Sequence, residues 1–417
     1  MVKNLDKNNQ YTLSGTSAPW YQGWDLTEEE KAVYRERSKS SAKAKQRSLI
    51  QKIADQDKHP INNPKLDPAS LMPQRPSNGI RTLSLFSGGG GLDLGFDMAG
   101  FSHMASYEIL SFAADTLCKN RPLWTVKGGS EGDVTSVDWR KFRGEIDVVH
   151  GGPPCQPFST SGRQRGKEDA RDMFPEFVRA VTEIRPKAFL AENVPGLKAS
   201  KFDHYLSQNI VGPLSRDYKI FIFQLSASSF GVPQVRTRLF FVGFRNRFFT
   251  SRFEQPRNTH DWSHFKNGFI KKASDNQKEL FCLSSSRPLL KCMGVREALG
   301  LEDIGYDTLS PTIRSTLTGP RHTTSILSST SALRVWNDLK IWPNGVGLTR
   351  ELAQNFPAKN GHFRLSVADC GIIQGFPESW EFDGPVYKAL GQIGNAVPPP
   401  MAYWLATSLE KVLLASD

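Results

Sequence analysis

The sequence predicts an α/β fold, a doubly wound and mostly parallel sheet, joined to a second, smaller irregular domain. Three observations carry that expectation. First, apolar runs of strand length alternate with helical spacing: TLSLF, HMASYE, DVVHG, AFLAEN, IFIFQL and RLFFVGF. Second, the rhythm stops after about Phe248, and residues 249–362 are rich in Ser, Thr, Asn, Gly and Pro, with no periodicity and no internal repeat. Third, apolar content returns in residues 363–417, where the stretch from Pro400 onward has helical spacing. A chain of 417 residues with 38% hydrophobic content is long enough for one large or two modest domains.

Residues 1–78 are a basic extension. Thr27 and Glu30 form a capping box ahead of KAVYRERSKSSAKAKQRSLIQKIA, so a helix is expected from about Leu26. The segment 57–78, with five prolines, reads as a linker, and the strand RTLSLFS opens a domain spanning residues 79–248. The net charge of +11 favours a polyanionic partner such as nucleic acid. No apolar run approaches the roughly 20 residues that a membrane span needs, and MVKNLDKNNQ has no signal-peptide character, so a cytoplasmic protein without a membrane partner is expected. The cysteines at 118, 155, 282, 292 and 370 form no CxxC pair, which argues for free thiols and against a metal site.

The chemistry-bearing motifs lie at strand ends. In FSGGGGLDLGF, glycines between a strand and a helix let the backbone approach a ligand beside free helix-terminal amides. Glu108 ends the second strand, where a carboxylate can accept from both ribose hydroxyls, and Asp133 in GDVTSVD ends the third, placed for an adenine amino group. Without a strict GxGxxG, and with Phe86 inside the turn, these residues suit S-adenosylmethionine better than a dinucleotide. In GGPPCQPFST, prolines on both sides of Cys155 hold a stiff loop that presents a thiol at the end of the strand DVVHG. Glu192 follows the next strand in AFLAENVPG, so a thiol and a carboxyl would share one pocket. In QVRTRLFF, Gln234, Arg236 and Arg238 alternate, which puts all three on one face, where guanidiniums suit phosphate or a carbonyl oxygen.

In this order, FSGGGG, PPCQPFS, ENV, QVRTR, RLSVADCGIIQGFPESWEF and GNAVPPP resemble the ordered motifs of the DNA (cytosine-5) methyltransferases of bacterial restriction-modification systems. The resemblance covers residues 79–417, interrupted by the variable middle. It implies a Rossmann-like S-adenosylmethionine-dependent catalytic domain at 79–248, a target-recognition domain at 249–362, and a C-terminal segment at 363–417 returning to the catalytic domain. It also implies that Phe86, Gly88, Gly90, Gly91, Glu108, Asp133, Val134, Pro154 and Asn395 hold S-adenosylmethionine, while Cys155, Glu192, Arg236 and Arg238 attend the cytosine. Gly89, where a bulkier residue is frequent, and the doubled proline at Pro153 depart from the pattern without removing a functional group.

The implied reaction is methylation at carbon 5 of a flipped-out cytosine in double-stranded DNA, through a covalent Cys155 adduct at carbon 6, by a monomeric enzyme. In PTIRSTLTGPRHTTSILSS, Arg314, Arg321 and His322 stand among hydroxyls and glycine in a composition suited to a DNA groove, and Gln234 joins them as a DNA contact. Two alternatives are an RNA (tRNA) cytosine-5 methyltransferase and an inactive DNA-binding relative. The first predicts a short middle region, whereas more than a hundred residues separate QVRTR from QGFP; the second predicts a damaged PCQ or ENV, and both are intact.

Overall fold

The computed structural model describes residues 59–154, 172–245, 253–265, 288–317, 323–355, 358 and 361–415, with six positions between Glu29 and Lys43. Those six positions, inside the expected N-terminal helix, are helical and exposed.

Strands β1 (Arg81–Leu85), β2 (Ser102–Glu108), β3 (Val126–Gly128), β4 (Val148–Gly151), β5 (Ala188–Asn193), β6 (Lys219–Ser226) and β7 (Thr237–Phe244) form one sheet in the order β3-β2-β1-β4-β5-β7-β6. Pairing is parallel from β3 to β5, and β7 runs antiparallel to both β5 and β6. The connection from β6 to β7 is too short for a crossover helix, so the second strand of that pair has to return antiparallel. Alternation along each strand feeds two cores. Val148, Leu190 and Phe240 pack on one face with Phe96, Met401 and Leu405, while Val149, Phe189 and Phe241 pack on the other with Phe177 and Val181.

Helices α1 (Gly91–Met98) and α2 (Ser111–Asn120) follow β1 and β2, and α3 (Phe174–Ile184) precedes β5. The second lobe contains α4 (Thr330–Asp338) and two parallel strands, β8 (Ile341–Gly347) and β9 (Phe363–Ser366). Its core of Val295, Ile313, Trp336 and Ile341 also takes in Ile372 and Leu390, from α5 (Val367–Gln374) and α6 (Val386–Asn395). Of the three C-terminal helices, α7 (Pro399–Leu414) therefore makes the full return to the sheet, where a Cβ on Gly95 of α1 would meet Ala402 Cβ at 2.4 Å.

The stretch expected to be a linker is instead a packed strap from Asn62 to Asn78. Asn62 Nδ2 donates to Leu299 O and Asp369 Oδ1, Leu66 enters the core of the second lobe, Met72 is fully buried in the sheet core, and Asn78 Nδ2 donates to Glu410 Oε1. Apart from one 3-10 turn at Pro68–Leu71, the strap makes no regular structure of its own, so much of its hydrogen bonding goes to the surfaces it crosses.

A buried polar relay lies under the first turn of α1. Ser106 Oγ donates to Asp93 Oδ1 at 2.7 Å and meets His103 Nε2 at 2.7 Å; with the hydroxyl proton given to Asp93, His103 Nε2 must be the donor. Burial holds His103 neutral, with its pKa pushed down to about 4, and lifts Asp93 from 3.8 to about 6. A carboxyl whose folded pKa exceeds its unfolded value binds an extra proton in the folded state, so stability falls as pH rises from 3.8 to about 6. Asp93→Asn keeps the acceptor and should gain on the wild type by up to about 3 kcal/mol between about pH 4 and about pH 7. Urea unfolding of both proteins at the two pH values measures it; a difference that does not change with pH would put Asp93 in the ordinary carboxylate range.

Candidate active site

The strand order steps outward from β1 to β2 and β3 on one side, and from β4 to β5 on the other, so the crevice of the sheet opens at the carboxyl ends of β1 and β4. The glycine turn leaves β1 there, and the loop toward Cys155 leaves β4 beside it. Cys155 itself lies outside the described residues.

Phe86, Gly88 and Gly90 take φ values of 57°, 55° and 83°, so the turn needs left-handed backbone at three positions, one of them not glycine. A Cβ on Gly91 would lie 2.1 Å from Val397 O, which explains glycine where the turn meets the C-terminal segment. Gly88, by contrast, is flanked only by Phe86 O at 4.0 Å and is partly exposed. Glu108, buried at the end of β2, accepts from Gly88 N at 2.7 Å and Leu110 N at 2.8 Å, and burial raises its pKa. Each carboxylate oxygen keeps a second lone pair. Asp133 does not end a strand as expected; it caps a short 3-10 turn after β3, accepting from Thr135 N and Oγ1, with Val134 buried behind it. Pro154 is partly exposed and Asn395 exposed, the latter next to Ala396, whose Cβ is 3.1 Å from the position of a Gly91 Cβ.

On the other side of the crevice, Glu192 of β5 pairs with Arg238 of β7, Nε to Oε1 at 2.8 Å, both side chains nearly buried. Burial raises the Glu192 pKa against the opposing pull of Arg238 and Arg236. A Cβ on Gly152 would stand 2.9 Å from Glu192 Oε2, and Asn193 Nδ2 donates to Pro153 O at 3.3 Å. The stem of the Cys155 loop is thus seated on the ENV segment.

Two expected contacts need correction. Arg236 is 1% exposed, and its Nη2 donates to Gly394 O (2.8 Å) and Ala396 O (2.7 Å), so it braces the GNAV segment rather than facing a base. Gln234 is fully buried: Nε2 donates to Ile373 O and Gln374 Oε1, and Oε1 accepts from Ile313 N, which leaves no group for DNA. Alternation predicts these residues on one face, but β7 begins only at Thr237, and α5, α6 and the second lobe cover Gln234 and Arg236 in the stretch before it. Arg314 is exposed beside the end of α6, where a Cβ on Gly394 would be 2.7 Å from its carbonyl carbon; Arg321 and His322 lie outside the described residues. Trp380 was not anticipated: its Nε1 donates to Gly89 O at 3.1 Å. The extra glycine at Gly89 was the one hint that something bulky approaches the turn.

Among the described residues no helix is long and apolar enough to cross a membrane, and no cluster has the make-up of a metal site. The model of the C-5 cytosine-specific DNA methylases matches residues 80–411. Type II methyltransferase M.NgoMIV of Neisseria gonorrhoeae is 34% identical over 342 residues, covering 80% of this chain and 97% of that protein. Type II methyltransferase M.Eco47II of Escherichia coli is 32% identical over 371 residues, covering 81% and 80%. Two crystal structures share the fold. A prophage-encoded DNA modification methyltransferase of E. coli has a TM-score of 0.51 at 24% identity, covering 81% of this chain and 100% of that one. S. pombe Dnmt2 has a TM-score of 0.50 at 16% identity, covering 81% and 99%. The chain belongs to the C-5 cytosine-specific DNA methylase family.

Proposed function

We propose that this chain methylates carbon 5 of a cytosine flipped out of double-stranded DNA, as the modification enzyme of a restriction-modification system, with Cys155 as nucleophile and Glu192 as its acid partner. The observation that carries the reading is the Glu192–Arg238 pair at 2.8 Å, set against Gly152 at the stem of the Cys155 loop. It supplies a buried carboxyl and a guanidinium beside residues 152–154, which lead toward Cys155.

The glycine turn fits S-adenosylmethionine: Gly88 leaves its flank open, Glu108 ends the neighbouring strand, and the partly exposed Phe86, Asp133, Pro154 and Asn395 stand at the same end of the sheet. Gly90, Gly91 and Val134 shape the site from behind. When bound, S-adenosylmethionine supplies a methyl group on a positively charged sulfur.

Carbon 5 of cytosine is a poor nucleophile until the ring is activated. The Cys155 thiolate adds to carbon 6, and the electron pair of the ring double bond moves toward carbon 5 while Glu192 gives a proton to N3. Arg238 keeps Glu192 in place and offers positive charge to the ring carbonyl. After carbon 5 is methylated it loses its proton to a base, the carbon–sulfur bond breaks, and the thiolate and Glu192 return to their starting states. A stacked base cannot be reached, so extrusion costs a few kcal/mol that backbone contacts must offset. The net charge of +11 serves that need, and residues 249–362, with Arg314, Arg321 and His322, are the region for target recognition.

Transfer of tritium from labelled S-adenosylmethionine to plasmid DNA and to tRNA in parallel tests the reading. Counts in DNA, with bisulfite mapping of one recurring sequence, are expected. Counts confined to tRNA, or none in either, would overturn it.

A further inference from the structure

The outer side of the glycine turn is covered by Trp380, Glu381, Phe382 and Asp383, between α5 and α6. Trp380 is 5% exposed and gives its one polar group to the turn, donating from Nε1 to Gly89 O. Its ring lies against the next residue, where a Cβ on Gly90 would meet Cζ2 at 2.8 Å. Phe382 Cε1 and Gln392 Cβ occupy the place of a side chain on Gly89, at 3.2 and 3.1 Å. That crowding disfavours a side chain at Gly89 without excluding one.

Trp380 is also held from its other side. The Arg121 guanidinium stands 5.4 Å from its ring centroid and 5.8 Å from that of Trp124, while Arg121 Nε donates to Asp97 Oδ2 at 3.0 Å. The backbone on either side of Phe382 is tied to α2, with Glu381 N donating to Asn120 Oδ1 and Asp383 N to Thr116 Oγ1. Gly89 O shares a rigid peptide plane with Gly90 N, which donates to Ser87 O at 3.0 Å. Trp380 therefore grips one end of the plane whose other end closes the turn.

We propose that Trp380 is a positioning residue for the methyl donor, its indole N–H holding the Phe86–Gly91 turn in the shape that receives S-adenosylmethionine. The proposal rests on the assignment of that turn to the donor. Calorimetric titration of the full chain with S-adenosylmethionine tests both. Glu108→Ala, at the turn itself, should weaken binding at least tenfold; binding as tight as the wild type would overturn the assignment of the site. Trp380→Phe keeps the ring stacked on Arg121 and removes the N–H. Its donor Kd and donor KM should rise roughly tenfold, while kcat and the KM for DNA stay near wild type; the melting temperature without donor should fall only modestly, since Gly89 O loses one hydrogen bond. A variant with a lowered melting temperature and unchanged donor Kd would show packing alone and overturn the proposal. Should Trp380→Phe fail to fold, Arg121→Leu decides, because it loosens the ring without touching the turn: weaker donor binding supports the proposal and unchanged binding overturns it.

Discussion

Cys155→Ala should abolish methyl transfer, by at least about 1,000-fold, and should form no denaturation-resistant complex with DNA carrying 5-fluorocytosine at the target. In the wild type the thiolate adds to carbon 6 and the methyl arrives at carbon 5. Fluorine cannot leave as a proton does, so the carbon–sulfur bond persists and a gel shift under denaturing conditions records it. Two of the three described thiols offer no substitute nucleophile. Burial pushes Cys292 up to about 12 and Cys370 well above the usual thiol range, which leaves almost no thiolate at neutral pH, and Cys118 is an exposed residue on α2. A covalent complex formed by Cys155→Ala in the presence of the methyl donor would remove Cys155 from the reaction.

Legibility of the sequence followed the physics of each element. Six of the seven strands of the main sheet were visible as runs with apolar residues, densest in β5 and β7, which are covered on both faces, whereas β3 is VKG, three partly buried residues with no pattern to detect. Prolines in the strap signalled the absence of an α-helix or sheet, and that is not absence of packing: Met72 is fully buried. Period-2 alternation holds only within a strand, and β7 begins at Thr237, so it did not govern Gln234 and Arg236 and carried no information about what covers them. Cys155 and Glu192 stood out in the sequence because a thiol between prolines and a carboxyl at a strand end are locally anomalous; of the two, the described residues include Glu192, near the end of β5. Trp380 did not stand out, since its hydrogen bond joins residues 291 apart in sequence and an aromatic in GFPESWEF looks like any core residue. The same limit hid the Asp93–Ser106–His103 relay, which depends on β1, β2 and α1 being packed together.

Glu192→Gln should lower kcat by about 100- to 10,000-fold while leaving the affinity for S-adenosylmethionine unchanged. Gln is nearly isosteric and can offer N3 a hydrogen bond, but it holds no transferable proton, so the activated ring keeps charge that Glu192 would have neutralised. The substitution also leaves Arg238, 13% exposed, facing a neutral amide instead of a carboxylate. The pH profile separates those two losses. Burial raises the Glu192 pKa above the ordinary carboxylate value, so its proton is retained further toward neutral pH and is lost as pH rises through the folded pKa. In the wild type, single-turnover rates should therefore rise with pH as the Cys155 thiolate forms and then fall as Glu192 ionises. Glu192→Gln should keep the rising limb, which belongs to the thiol, and lose the falling one. A variant that retained both limbs, or stayed within tenfold of the wild-type rate, would move the proton at N3 to another donor. In that case the short Arg238 contact would serve only to anchor β5 to β7, at a position where the two strands are already paired, Glu192 opposite Phe240.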